Sequence, residues 1–171
     1  MTQSELLSKV STGVLSICGL EFDFSGNHVP SFSGLYQNFF DTQMTSENFV
    51  KNYFSSSSIS LSEDSSQEAA GIKYQQKLTW SFPNNDKNRS IRINEIQKVK
   101  FVKLVLTDGS RIVLGRNDFF QNARPVILTE SDHLKTVVTF NFKSIFSFGF
   151  LEGTDTGYLF PLDFPITFIN L

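Results

Sequence analysis

GIKYQQKLTWSFP, residues Gly71 to Pro83, sets Ile72, Tyr74, Leu78, Trp80 and Phe82 on one side of an extended chain and Lys73, Gln75, Lys77, Thr79 and Ser81 on the other. Gln76 is the one polar residue on the apolar side. Alternation with period two is the pattern of a strand that keeps one face on a core and one in water. Pro83, Asn84 and Asn85 end the strand, and Asp86 is placed to cap a helix running to about Lys98, with Ile93 and Ile96 turned inward.

Downstream, Phe101 to Leu106 and Arg111 to Leu114 flank Thr107-Asp108-Gly109-Ser110. Asp-Gly suits a two-residue turn with positive φ at both central positions, which would set Val105 opposite Ile112 and Leu104 opposite Val113. A second hairpin follows, Val126 to Thr129 and Leu134 to Phe142, joined through Glu130, Ser131, Asp132 and His133. Upstream, VLSICGLEFDF (Val14 to Phe24) alternates through Leu20, Phe22 and Phe24 between Gly13 and Gly26 and reads as another strand. Phe32, Leu35, Tyr36, Phe39 and Phe40 match helical spacing over a short span.

Two segments depart from this texture. SSSSISLSEDSSQE, Ser55 to Glu68, is serine-rich with only Ile59 and Leu61 as bulky apolar residues, and reads as a loop or arm at about 55–70. The end of the chain, Tyr158 to Leu171, crowds Phe160, Phe164, Phe168 and other apolar residues around Pro161 and Pro165. Those prolines forbid a regular helix or a central strand, and so apolar a tail requires cover from its own sheet or from another subunit. The domain reading is one β-rich unit over 1–157 with an apolar extended tail over 158–171.

The 171 residues suffice for one core that buries roughly 70% of the unfolded surface. Phe accounts for 19 of the aromatic residues, against four Tyr and one Trp, so the aromatic content mostly fills space. A single cysteine, Cys18, excludes an internal disulfide, and its neighbours Leu15, Ile17 and Leu20 suggest a small buried residue. No apolar run reaches the roughly 20 residues that span a bilayer, so no membrane partner is expected. Met1 to Glu68 holds two Lys and eight acidic residues, whereas the remainder holds thirteen Lys/Arg and nine acidic ones. Such opposition serves docking between subunits or is simply two solvated surfaces.

Chemistry-bearing patterns are few. Two histidines, His28 and His133, and one cysteine lack the paired spacing of a zinc site. Asp132 beside His133 is turn chemistry, since no GxSxG elbow accompanies it. Neither GxxxxGK[ST] nor GxGxxG occurs, and no cofactor is implied. Lys87, Arg89, Arg92 and Lys98, on and after the helix, form a candidate electrostatic contact face for an acidic subunit surface or, non-specifically, for nucleic acid.

The order strand, capped helix, Asp-Gly hairpin and second hairpin, written GIKYQQKLTWSFP, VKFVKLVLTDGSRIVLGR and LKTVVTFNFKSIFSFGF, resembles structural proteins of tailed bacteriophages. Tail tube, tail ring and neck subunits are the members in question. That resemblance implies a mainly β fold, a β-sandwich or small β-barrel with one flanking α-helix and extended arms. It further implies a non-enzymatic subunit of the virion, assembled in the host cytoplasm into a homo-oligomeric ring around a DNA channel. Its partners would be copies of itself, other virion proteins and the genome in the lumen. Loops and termini of such proteins clasp neighbours, which makes Ile59, Leu61, Tyr158, Phe160, Phe164 and Phe168 the candidate interface. The alternative reading is a ligand-binding β-sandwich, such as a carbohydrate module with Trp80 or exposed tyrosines as stacking platforms.

Overall fold

A computed structural model describes residues 16–24, 49–85, 87–115, 124–144, 147, 148, 150 and 151. Among the described residues the fold is mainly β: two antiparallel sheets packed face to face with one short helix, and no closed barrel. The strands are β1 (Ile17–Asp23), β2 (Val50–Lys51), β3 (Ser60–Glu68), β4 (Gly71–Pro83), β5 (Phe101–Leu106), β6 (Arg111–Leu114), β7 (Val126–Ser131), β8 (Lys135–Ser144) and β9 (Phe150–Leu151), with α1 (Arg89–Ile96) between β4 and β5. Sheet A has the order β2-β1-β5-β6-β9 and sheet B the order β3-β4-β8-β7.

Period two explains the core. Leu20, Phe22, Val102, Leu104, Leu106, Ile112 and Leu114 project from sheet A onto Leu78, Trp80, Phe82, Val138, Phe140 and Phe142 of sheet B. Phe22 bridges the layers, its ring centroid 5.4 Å from Trp80 and 5.9 Å from Phe140. Ile96 and Val99 close one side, with Ile93 packed against them, as the helical spacing requires. A cluster of this size, with Trp80 and several Phe fully buried, supplies the apolar burial that offsets chain entropy.

Four expectations need correction. The serine-rich segment is not a loop or arm: Ser60 to Glu68 forms β3, paired with β4 from Ser60↔Thr79 to Glu68↔Gly71. An edge strand needs only one inward row, and Leu61 opposite Leu78 supplies it while Ser60, Ser62 and Ser66 face out. The Asp-Gly hairpin is shifted by one residue, with Val105 opposite Arg111 and Leu104 opposite Ile112. Gly109 N donates to Leu106 O (2.9 Å) and Leu106 N to Ser110 O (2.8 Å), so the loop has three residues, with Gly109 at φ +82 as the bulge. Asp108 Oδ1 favours that loop by accepting from Ser110 N (2.9 Å) and Ser110 Oγ (2.6 Å).

The helix is shorter than expected, with Asn88 at its N-cap position and Gln97 at its C-cap. Ile72, expected on the buried face of β4, is exposed, because β8 pairs with β4 only from Tyr74 onward and Ile72 lies beyond that pairing. The expected Asp86 cap, the 32–40 helical pattern, His28 and the tail from Tyr158 lie outside the described residues.

Candidate functional site

Sheet B presents two edges. Asp132 N donates to Lys135 O (3.0 Å) at the β7–β8 turn, and alternation from there points the main-chain groups of Ile127, Thr129 and Ser131 away from β8. Across the sheet, Asn84 N donates to Leu134 O (2.9 Å), which sets the phase of β4 and leaves the main-chain groups of Leu61, Glu63, Ser65 and Gln67 on the outer side of β3. No described strand pairs with either edge. Val126 and Leu128, on the outer face of β7, are exposed. Strand edges of this length are templates for pairing with another chain.

The candidate interface residues divide. Ile59 and Leu61 are half-buried and pack against the chain's own core. Tyr158, Phe160, Phe164 and Phe168 fall outside the described residues. Glu63, expected in solvated loop, turns inward: its carboxylate accepts from Gln76 Nε2 (2.8 Å), Phe148 N (2.8 Å) and Ser147 Oγ (2.6 Å). One side chain of sheet B thereby holds the segment that leads to β9 in sheet A. The signal available in the sequence was the Ile59-x-Leu61-x-Glu63 alternation.

The basic face of the helix is largely engaged within the molecule. Arg89 Nε donates to Asn84 Oδ1 (3.0 Å) and Thr136 Oγ1 (3.1 Å), and its Nη2 to Ser131 Oγ, tying α1 to the end of sheet B. The Arg92 guanidinium lies 5.6 Å from the Phe82 ring centroid. Lys98 pairs with Glu95 at 2.6 Å, and Lys87 is exposed. Arg89 and Arg92 thus make contacts within the fold, and Lys98 pairs along its own helix end.

Sheet A carries a buried charged pair, and Lys103, which the sequence places in the basic surplus after the helix, is enclosed rather than presented to a partner. Glu21 and Lys103 are direct cross-strand partners on the face of sheet A away from the core. Lys103 Nζ lies 2.5 Å from Glu21 Oε2, the side chains being 2% and 5% exposed. The Phe49 ring lies 4.9 Å from the same nitrogen, and Asp23, also buried, is two residues along β1 on the same face. A lysine inside the apolar run FVKLVL and two carboxylates inside LEFDF were the signs of it.

Cys18, expected to be buried, is half-buried; its Sγ donates to Val105 O at 3.4 Å, and burial pushes its thiol pKa up. His133 is exposed on its turn, as its neighbours suggest. Trp80 is fully buried and cannot serve as a stacking platform, whereas among the described residues Tyr53 is an exposed tyrosine. Among the described residues no group of three or more His, Cys, Asp or Glu could hold a metal ion, and no helix is long and apolar enough to cross a membrane. Compared with known proteins, the chain matches no family model, no curated protein and no solved structure.

Proposed function

We propose that this chain is a structural subunit of a tailed-phage virion that assembles head to tail into a homo-oligomeric ring, in the tail tube or the head-to-tail neck, around the DNA channel. The observation that carries the reading is the pair of sheet B edges that no described strand covers. Four antiparallel strands make β3 and β7 run in opposite directions, so identical copies set side by side bring β7 of one against β3 of the next as an antiparallel pair. Such a heterologous contact closes into a ring when its rotation divides the circle, and continues as a filament when it does not. The ring has no catalytic residue to supply and no cofactor to hold. Its work is geometric, and any contact with genomic DNA is to the backbone and independent of sequence.

Negative-stain imaging and light scattering of the purified full-length chain test this. Rings are expected, and Ser65→Pro and Thr129→Pro should each yield monomers with unchanged far-ultraviolet circular dichroism. Both positions point their N–H outward, so proline removes a donor to the neighbour without breaking an internal ladder bond. A wild-type chain that stays monomeric at high concentration, or rings indifferent to both prolines, would overturn the reading.

A further inference from the structure

We infer that Lys103 and Glu21 are joined by an intramolecular amide bond, formed without any other protein in the folded chain. The inference is independent of the proposed assembly. Its basis is the juxtaposition on the covered face of sheet A: an amine nitrogen 2.5 Å from a carboxylate oxygen, both side chains at most 5% exposed, on directly opposed residues of two paired strands. Phe49 stands over the nitrogen at 4.9 Å, Phe101 and Val113 are buried on the same face, and Asp23 lies diagonally across the ladder from Lys103, within reach of a long side chain.

Three physical terms act together. Withdrawing two opposite charges from water is costly even when they pair, and condensation removes both charges. Holding nucleophile and electrophile in contact gives effective concentrations on the order of 10⁵–10⁸ M in favourable intramolecular cases. Exclusion of water removes the reagent for the reverse reaction. The step balances as a dehydration. A proton passes from the Lys103 ammonium to the Glu21 carboxylate, leaving an amine and a carboxylic acid. The nitrogen lone pair adds to Glu21 Cδ to form a tetrahedral centre. Asp23 accepts the second nitrogen proton and delivers it to the departing hydroxyl; the C–O bond breaks, water leaves, and Asp23 is regenerated. Nothing is oxidised or reduced.

Intact mass spectrometry of the purified full-length protein decides it. The expected mass is lower than the sequence mass by one water, tandem spectra join a peptide containing Glu21 to one containing Lys103, and trypsin no longer cuts after Lys103. Lys103→Arg keeps a cation in the site but offers no comparable nucleophile, and should return to its full sequence mass. A wild-type mass equal to the sequence mass overturns the inference, as does a water loss that persists in Lys103→Arg, which would place the dehydration elsewhere. Rings with no link, or a link in a chain that forms no rings, separate this inference from the assembly reading.

Discussion

The outer faces of the two sheets have opposite characters. That of sheet B shows Ser62, Asp64, Gln75 and Lys77 to solvent, beside half-buried Thr79 and Asn141. The matching face of sheet A carries Phe101, Lys103, Val105 and Val113, all buried. A sheet with one wet face needs side chains of alternating polarity, whereas one covered on both faces becomes apolar throughout and must neutralise any charge it encloses. The difference teaches where polarity is expensive: a lysine is incidental on sheet B and a commitment on sheet A.

Removing one lysine from each face is the strongest way to break this contrast. Lys103→Ala leaves Glu21 buried without its cross-strand partner and should cost about 3–5 kcal/mol in urea unfolding. Lys77→Ala, on the wet face, should stay within about 0.5 kcal/mol of wild type. Equal losses from the two variants would mean that sheet A is no more closed than sheet B.

Two glycines repeat the comparison at the level of the backbone. Gly71 in the β3–β4 turn and Gly115 after β6 both have left-handed φ, at +127 and +121. A Cβ at Gly71 meets nothing within 4 Å, but one at Gly115 collides with the Lys100 carbonyl and comes within 2.9 Å of Phe101 Cα. Gly71→Ala should cost about 1–2 kcal/mol from backbone strain alone. Gly115→Ala adds overlap with main chain that cannot swing aside, and should cost roughly 2–4 kcal/mol in the same denaturation measurement. A smaller loss at Gly115 than at Gly71 would show that the start of β5 yields.

How much of this was legible depends on what kind of signal each element carries. β4 and β8 were plain because Leu78, Trp80, Phe82, Val138, Phe140 and Phe142 repeat at period two over a long run. β3 was hidden because an edge strand needs few apolar residues, and its serines imitate a loop. The β5–β6 register was missed by one residue because Asp-Gly fits two loop lengths, and the choice rests on hydrogen bonds from Ser110 to Asp108 that no dipeptide preference encodes. The Glu21–Lys103 pair required knowing that β1 lies beside β5, with some eighty residues of chain between them, and periodicity does not reveal strand order. Arg89 looked like one of a basic cluster because charge is visible in sequence, while its acceptors Asn84, Thr136 and Ser131 come together only when the strands pair.

The smallest expected effect compares the β5–β6 turn of sheet A with the β7–β8 turn of sheet B. Asp108 in the β5–β6 turn is held below the usual carboxylate range by the Ser110 hydroxyl and N–H, and Asp132 in the β7–β8 turn by the N–H groups of Lys135 and Leu134, with His133 and Lys135 adding positive charge nearby. A carboxyl whose pKa is lower folded than unfolded binds fewer protons in the folded chain, so its contribution is present above the unfolded value near about pH 4 and is lost as pH falls through the folded value. Thermal melts at about pH 6 and about pH 3 should therefore show an acid-induced fall in midpoint that is reduced in Asp108→Asn and Asp132→Asn, and reduced further in the double variant. Both carboxylates are exposed, so each difference should be slight. If only Asp132→Asn flattens the pH response, unfolding is limited by the β7–β8 turn of sheet B; if only Asp108→Asn does, by the β5–β6 turn of the covered sheet. A response identical to wild type in all three variants would remove both turns from the acid sensitivity of the fold.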